Sequence, residues 1–290
     1  MSTTTPAHSS SPWFPFPPPV PPGPGGRPRV RLLCFPCAGQ GASAYRPWQR
    51  LLAPEIEVVP VQLPGREGRA TEPPHTTMDG LMTHLLPQLR QQVGGADGYA
   101  LFGHSLGALV AFEAARRLEA TGHVPLGLTV AAQHPPQLPL GREPVHDLPR
   151  AAFMTTLGLY GQVPVELFDD PAAVELARVG LRADFTLAET YRPWAGPGPE
   201  VPSAEPLVSC PVTALAGLAD TTFPPGSMRA WGELTSGPFT FRPVPGDHFF
   251  VNERTAELVG LIRSALGRRA GYPACAGPPS VSPATHRSTT

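Results

Sequence analysis

One serine of the sequence has a setting that suits a nucleophile. Ser105 lies at the centre of Gly103-His104-Ser105-Leu106-Gly107, which fits the pattern G-x-S-x-G. An apolar run, Tyr99–Phe102, comes before the pattern, and a strongly helical stretch, Leu106–Ala120, opens within it. A serine at such a tight strand-to-helix turn presents its hydroxyl at the edge of a sheet, and the helix N-terminus supplies donors for a developing oxyanion. The sequence therefore predicts a nucleophile elbow with Ser105 as the catalytic nucleophile.

A serine hydroxyl needs a general base, and His248 is the best placed of the nine histidines. It follows the last strand candidate, Phe239–Val244, and folds that carry such an elbow have the chain order serine, acid, histidine. His286 lies farther downstream, in a stretch with no predicted element to hold it. His104 is inside the elbow, and three further histidines precede the predicted acid: His123, His134 and His146.

The carboxylate that orients the base should follow a strand and reach the imidazole. Asp220 comes shortly after the apolar run Pro211–Ala216 and is the predicted acid. Asp247 competes with it, but neighbouring residues of one loop rarely direct their side chains at each other. The loop after Leu126–Ala132 is the other place for an acid in this fold, and it reads Gln133-His134-Pro135, without a carboxylate.

Two backbone amides should form the oxyanion hole. One is that of Leu106, next to the nucleophile, and the other comes from the loop after the first strand, where Ala38 is favoured and Cys37 is the next choice. Cys34 and Cys37 also form a C-x-x-C motif. A redox or metal-binding role is disfavoured, because Cys34 lies within the predicted strand rather than at the start of a helix.

The elements that must position these residues alternate between apolar runs and helical patterns. Such alternation indicates a parallel sheet with helices on both faces, and with the elbow it predicts an α/β-hydrolase fold. Residues 145–195 break the alternation, with helical patches and no evident strand. This segment is predicted to be either a helical lid over the site or an extra helical layer. The strand candidates, besides those named above, are Val30–Phe35 and Ile56–Leu63, and the helix candidates are Tyr45–Leu52, Met78–Val93, Ser227–Leu234 and Thr255–Leu266.

The two ends of the chain differ from its centre in composition. The chain has 41 prolines and 30 glycines, and the excess over an ordinary composition lies largely at the ends, with nine prolines in residues 1–27 alone. Proline can neither donate to a ladder nor continue a helix. We therefore expect a disordered tail over residues 1–27, a hydrolase domain over 28–267 and a second disordered tail over 268–290. A polyproline ligand for a partner is the alternative reading of the first tail.

Charge and apolar content exclude several classes of function. The net charge is −1, with 22 basic and 23 acidic residues, so no general attraction to nucleic acid or to an anionic membrane is expected. No apolar run is long enough to span a bilayer, and the N-terminus does not resemble a secretory signal. With only four cysteines, we expect reduced thiols in a cytoplasmic protein. We also expect a monomer that uses neither cofactor nor metal.

Several segments together resemble the type II thioesterases, the free-standing editing enzymes of polyketide and nonribosomal peptide assembly lines. The resemblance covers about residues 30–266. It rests on the following segments: Leu33–Gly39, Tyr45–Trp48, Val61–Arg66, Phe102–Ala108, Leu181–Phe185, Glu189–Tyr191 and Gly246–Phe250.

The resemblance implies hydrolysis of acyl thioesters carried on the phosphopantetheine arm of an acyl or peptidyl carrier protein. Ser105 would take the acyl group, His248 would act as base and then acid, and Asp220 would orient His248. Cys37, Gln40 and Asp247 depart from the family's usual residues, and Asp247 places a negative charge beside the base. Two other activities stay open, an acyltransferase that moves acyl groups between carriers and a general serine esterase. A catalytically inactive binding protein is disfavoured by the intact Ser105, Asp220 and His248.

Overall fold

The computed structural model describes residues 11–18, 30–159, 171–194 and 206–269. Six strands form one sheet, in which every neighbouring pair is parallel. The strands are β1 (Val30–Phe35), β2 (Ile56–Pro60), β3 (Gly98–His104), β4 (Leu128–Ala131), β5 (Val212–Gly217) and β6 (Phe239–Val244). The helices are α1 (Arg46–Leu52), α2 (Met78–Val93), α3 (Leu106–Glu119), α4 (Arg150–Leu159), α5 (Pro171–Thr190), α6 (Phe250–Glu253) and α7 (Thr255–Arg269).

The strand order determines where the site lies. The order is β2-β1-β3-β4-β5-β6, so the chain first winds from β1 to one side of the sheet and then returns to build the other side. In such sheets the crevice at the carboxyl ends of the strands beside this reversal is the usual ligand site. Phe35, the last residue of β1, pairs with Gly103 of β3, so the loops that follow these two strands are neighbours.

Apolar packing covers both faces of the sheet. Along β1, Val30, Leu32 and Cys34 pack on one face and Leu33 and Phe35 on the other, as the two-residue period of a strand requires. All six residues of β1 are buried, which is typical of a parallel strand covered by helices on both sides. The first face carries α1 and α7, and the second carries α2 and α3. The predicted α/β architecture is therefore confirmed.

Most predicted elements are present, with shifted ends. The predicted helix Ser227–Leu234 is instead a 3₁₀ helix, Pro225–Leu234, in which Gly226 and Gly232 are poor α-helix formers. Within the described part of residues 145–195 there are two helices, α4 and α5, and no strand. Whether this segment moves as a lid stays a prediction.

The prediction of a disordered tail over residues 1–27 is wrong for residues 11–18. Trp13 and Phe14 are 7% and 9% exposed and join the core cluster on the α2 side of the sheet. The Trp13 ring lies 4.1 Å from the Arg69 guanidinium carbon, and the Trp13 carbonyl accepts a 2.8 Å bond from the Gln62 amide. Aromatic side chains thus anchor a segment whose proline content suggested no packing. The other residues of this predicted tail lie outside the described residues.

The opposite end of the chain also differs slightly from its prediction. Arg268 and Arg269 complete α7, and residues 270–290 of the predicted second tail lie outside the described residues. In the part of the chain that the structure describes, no helix has the length and apolarity needed to cross a membrane.

Candidate active site

Ser105 occupies a strained turn between β3 and α3. Its φ and ψ are 53° and −121°, a backbone region that non-glycine residues rarely adopt outside functional sites. The two flanking glycines are required because a side chain at either position would clash with nearby backbone. A Cβ on Gly103 would lie 2.1 Å from the Gly107 carbonyl oxygen, and one on Gly107 would lie 2.1 Å from the Phe35 carbonyl oxygen. The turn therefore has the form of the predicted nucleophile elbow.

The structure brings Ser105, His248 and Asp220 into one line of hydrogen bonds. His248 Nε2 lies 3.2 Å from Ser105 Oγ, and His248 Nδ1 lies 3.0 Å from Asp220 Oδ2. Asp220 and His248 are buried, while Ser105 is partly exposed. Since a carboxylate only accepts, Nδ1 is the protonated ring nitrogen and Nε2 is free to accept the serine proton.

Backbone amides fix the Asp220 carboxylate. Its Oδ1 accepts bonds of 2.8 and 3.0 Å from the amides of Thr222 and Phe223, which leaves Oδ2 for His248. The competing carboxylate is engaged elsewhere, because Asp247 Oδ1 accepts a 2.7 Å bond from the Phe249 amide and the residue is exposed. The geometry favours Asp220 over Asp247 as the partner of the histidine.

His104 holds the loop that carries His248, a contact that the sequence pattern did not reveal. Its Nε2 lies 2.8 Å from the His248 carbonyl oxygen, and because a carbonyl only accepts, this nitrogen carries the proton. Burial, followed by the nearby His248, lowers the pKa of His104 from 6.5 to about 3. The ring is therefore neutral at physiological pH and serves as a hydrogen-bond donor inside the protein.

The predicted oxyanion loop forms a tight turn beside the elbow. The Gln40 amide donates to the Cys37 carbonyl oxygen at 3.1 Å, and Gly39 has a φ of 76°, as the third residue of a type II turn requires. Ala38 lines the same narrow cavity as Ser105 and Leu106, whereas the lining of that cavity does not include Cys37. This favours Ala38 over Cys37 as the second oxyanion donor.

The cysteines near this loop are buried thiols. Cys34, Cys37 and Cys210 have no exposed surface, and none of the three forms a disulfide. Burial, and then the negative charge of Asp184, raises the pKa of Cys37 to about 12, so this thiol is protonated and a poor nucleophile. Among the described residues, no cluster of three or more histidine, cysteine, aspartate or glutamate side chains is arranged to hold a metal ion.

Two cavities meet at His248. The narrower one extends from Ser105, Leu106 and Ala38 to residues of α5, including Phe185 and Ala188. The wider and more open one lies between three loops, which contribute residues 134–142, residues 219–224 and residues 247–249. Both cavities are lined by four shared residues: Leu140, Arg142, Thr222 and His248. Arg142 is held by a 2.6 Å ion pair with Glu189 of α5.

A buried ion pair near the oxyanion loop was not assigned any role from the sequence. Arg66 and Asp184 form two hydrogen bonds of 2.7 and 2.6 Å, although 118 residues separate them. Both residues belong to segments on which the resemblance rests, which was the one available signal. Their pairing is a tertiary feature that spacing along the chain does not indicate.

Comparisons with known proteins agree on one family. A model of the thioesterase domain family matches residues 30–266, most of the chain. The protein named linear gramicidin dehydrogenase LgrE, from Brevibacillus parabrevis, is 37% identical over 241 residues, which cover 82% of this chain and 88% of that protein. Thioesterase PikA5 from Streptomyces venezuelae is 36% identical over 247 residues, which cover 84% of this chain and 83% of PikA5.

Among solved structures, the type II thioesterase BorB from the borrelidin biosynthetic cluster superposes with a TM-score of 0.72. It is 35% identical, and the match covers 89% of this chain and 97% of that one. The family match and the fold agree with the serine, histidine and aspartate found at the carboxyl edge of the sheet. The chain belongs to the thioesterase family and is a serine thioester hydrolase of the α/β-hydrolase fold, similar to the type II thioesterases.

Proposed function

We propose that Ser105 is the nucleophile that attacks the thioester carbonyl, with His248 as the base and Asp220 as the residue that orients it. The observation that carries this assignment is the continuous hydrogen-bonded line from Asp220 Oδ2 through the imidazole to Ser105 Oγ. A serine hydroxyl is a weak nucleophile until a positioned base accepts its proton, and the 3.2 Å contact with Nε2 meets that requirement.

The reaction proceeds in two acyl transfers. In the first, Ser105 Oγ bonds to the carbonyl carbon while Nε2 of His248 takes the hydroxyl proton. The C–S bond then breaks, and the same nitrogen returns that proton to the departing thiolate. In the second, His248 takes a proton from water, the water oxygen attacks the ester carbon, and the free acid leaves as Ser105 recovers its proton.

The negative charge that develops on the carbonyl oxygen needs preorganised donors. The Leu106 amide is at the N-terminus of α3, where the helix leaves amides without partners and adds a positive potential. Ala38 lines the same narrow cavity, and its amide is the proposed second donor. Donors of this kind typically contribute about 10²–10³ in rate each.

The substrate that we propose is an acyl group on the phosphopantetheine arm of a carrier protein. Two features support this class of substrate, namely the similarity to type II thioesterases of biosynthetic clusters and the meeting of two cavities at His248. The narrow cavity beside Phe185 would hold the acyl group, and the wide cleft would hold the arm. Removal of stalled acyl groups from an assembly line is the biological role that follows.

The test compares one short acyl group on three thiols, namely a holo carrier protein, coenzyme A and N-acetylcysteamine. We expect kcat/KM to be highest for the carrier, because contacts remote from the carbonyl can align the thioester with Ser105. Ser105→Ala serves as the control and should lose hydrolysis of all three substrates. Equal kcat/KM on all three thiols would remove the carrier from the proposal and favour a general esterase.

The acyltransferase alternative is tested with the same substrates. Adding an acceptor holo carrier to the reaction should leave free acid as the main product, since the open cleft gives water access to the ester. Accumulation of acylated acceptor in place of acid would favour transfer. A monomeric state and a cytoplasmic location stay predictions from the sequence, to be checked by sedimentation and by cell fractionation.

A further inference from the structure

Asp184 projects from α5 toward the loop that follows β1. The residue is 2% exposed, and its carboxylate accepts three hydrogen bonds. Oδ1 accepts from Arg66 at 2.6 Å, and Oδ2 accepts from Arg66 at 2.7 Å and from the Gly39 amide at 2.8 Å. One side chain therefore links α5, the loop after β2 and the proposed oxyanion loop.

Other contacts support this link. Arg66 Nε donates to the Pro64 carbonyl oxygen, which ties the guanidinium to its own loop. Gln62 accepts a 2.9 Å bond from the Ala42 amide and donates to the Arg66 carbonyl oxygen, so the far end of the oxyanion loop is joined to the same segment. Gly180 of α5 packs closely on this segment, since a Cβ there would lie 3.0 Å from the Gly65 carbonyl oxygen.

The bond to Gly39 determines the direction of the turn. Because the Gly39 amide points to Asp184, the peptide unit between Ala38 and Gly39 has a fixed plane, next to the donor proposed for the oxyanion. We infer that Asp184 is a positioning residue for the oxyanion hole: its carboxylate, paired with Arg66, holds the loop so that the Ala38 amide faces the reacting carbonyl. This inference rests on the proposed roles of Ser105 and of the Ala38 amide.

Asp184 also connects the oxyanion loop with the narrow cavity that is proposed to hold the acyl group. Phe185, which follows Asp184 on α5, lines that cavity, as does Ala188. The wall that contacts the acyl group and the loop that stabilises the oxyanion are therefore joined through one carboxylate. A purely structural ion pair would stabilise the fold without affecting transition-state stabilisation, and the experiment has to separate these two roles.

The experiment measures kcat, KM and the inhibition constant of an acyl trifluoromethyl ketone, with an acyl-N-acetylcysteamine as substrate. The ketone carbon bonds to Ser105 Oγ, the proton passes to His248, and the resulting oxyanion occupies the oxyanion hole. For Asp184→Asn we expect kcat to fall by about 10- to 100-fold, because a donor displaced by about 1 Å costs that much. The inhibition constant should rise by a similar factor, while KM changes little.

Glu113→Gln is the matched control. Glu113 of α3 is also buried and pairs with Arg116, Arg117 and Tyr191, but it follows Ser105 by eight residues, about 12 Å along the helix. It should lower the melting temperature without changing kcat per active site, as counted by fluorophosphonate titration. If Asp184→Asn behaves in the same way, with an unchanged inhibition constant, the inference is wrong.

Arg66→Lys provides a second test, which remains available if Asp184→Asn does not fold. Lysine keeps the charge but loses the paired geometry, and the Gly39 bond can persist, so we expect a smaller rise of about 3- to 10-fold in the inhibition constant. An unchanged inhibition constant in this variant would also overturn the inference. Hydrolysis that survives Ser105→Ala would instead refute the proposed function, so the two failures are distinguishable.

Discussion

Replacing His104 with glutamine should make the protein less sensitive to acid. In the wild type, the buried ring donates to the His248 carbonyl and stays neutral, since its pKa is lowered from 6.5 to about 3. The unfolded chain binds a proton at this histidine below pH 6.5, but the folded protein does not until about pH 3. Stability contributed by this residue is therefore complete above pH 6.5 and is lost as the pH falls toward 3.

The magnitude follows from the two pKa values. With 6.5 for the unfolded and about 3 for the folded state, lowering the pH from about 7 to about 5 reduces the free energy of unfolding by about 2 kcal/mol. Glutamine cannot be protonated, and its amide can still donate to the carbonyl of His248. Only the pH-dependent part of the difference is attributed to the proton, because the substitution also changes packing in an aromatic cluster with Phe249 and Phe250.

The assay is urea unfolding of wild type, His104→Gln and the control His123→Gln at both pH values. His123 is exposed and serves as the control for replacing a histidine at the surface. The burial of His134, whose pKa is lowered to about 4, contributes to all three proteins and cancels in the difference. An equal loss of stability for wild type and His104→Gln would refute the reasoning and show that the ring is protonated, or already exposed, in the folded state.

Three further outcomes follow from the geometry. Asp220→Asn should lower kcat by roughly 10³–10⁴, whereas Asp247→Asn should change it by a few-fold at most, since the Asp247 side chain accepts from the Phe249 amide and not from His248; steady-state kinetics reversing this order would make Asp247 the acid. Trp13→Ala should cost about 3 kcal/mol and lower the melting temperature by several degrees; an unchanged scan would mean the segment is loose in solution. Ser105→Gly should abolish hydrolysis yet raise the free energy of unfolding in urea by about 1–2 kcal/mol, because glycine relieves the strain of the positive φ, whereas Ser105→Ala should not raise it. Equal free energies of unfolding for the two variants would argue against strain.

Local patterns were sufficient to predict the parts of the site that depend on a single element. The glycines around Ser105 mark a turn in which any Cβ would clash, and the apolar runs mark strands that place Asp220 and His248 at one edge of a parallel sheet. These features depend on sterics and on strand periodicity, which the sequence carries directly.

The remaining features depend on contacts between distant segments. The pairing of Arg66 with Asp184 needs the path of α5, and the bond from His104 to the His248 carbonyl needs the relative placement of two loops. The packing of Trp13 was not predicted, because the prolines around it suggested a segment without structure. Its aromatic neighbours Phe14 and Phe16 were the signal in favour of packing.

Hydrolysis should pass through an acyl ester on Ser105. Wild-type protein would be mixed with excess acyl-N-acetylcysteamine, quenched in acid within milliseconds and digested for peptide mass spectrometry, with Ser105→Ala treated in parallel. We expect the acyl mass on Ser105, in the peptide that contains residues 103–107, and no acyl mass on the variant. An acyl group on another residue, such as Cys37, or turnover without any acylated protein, would contradict this expectation.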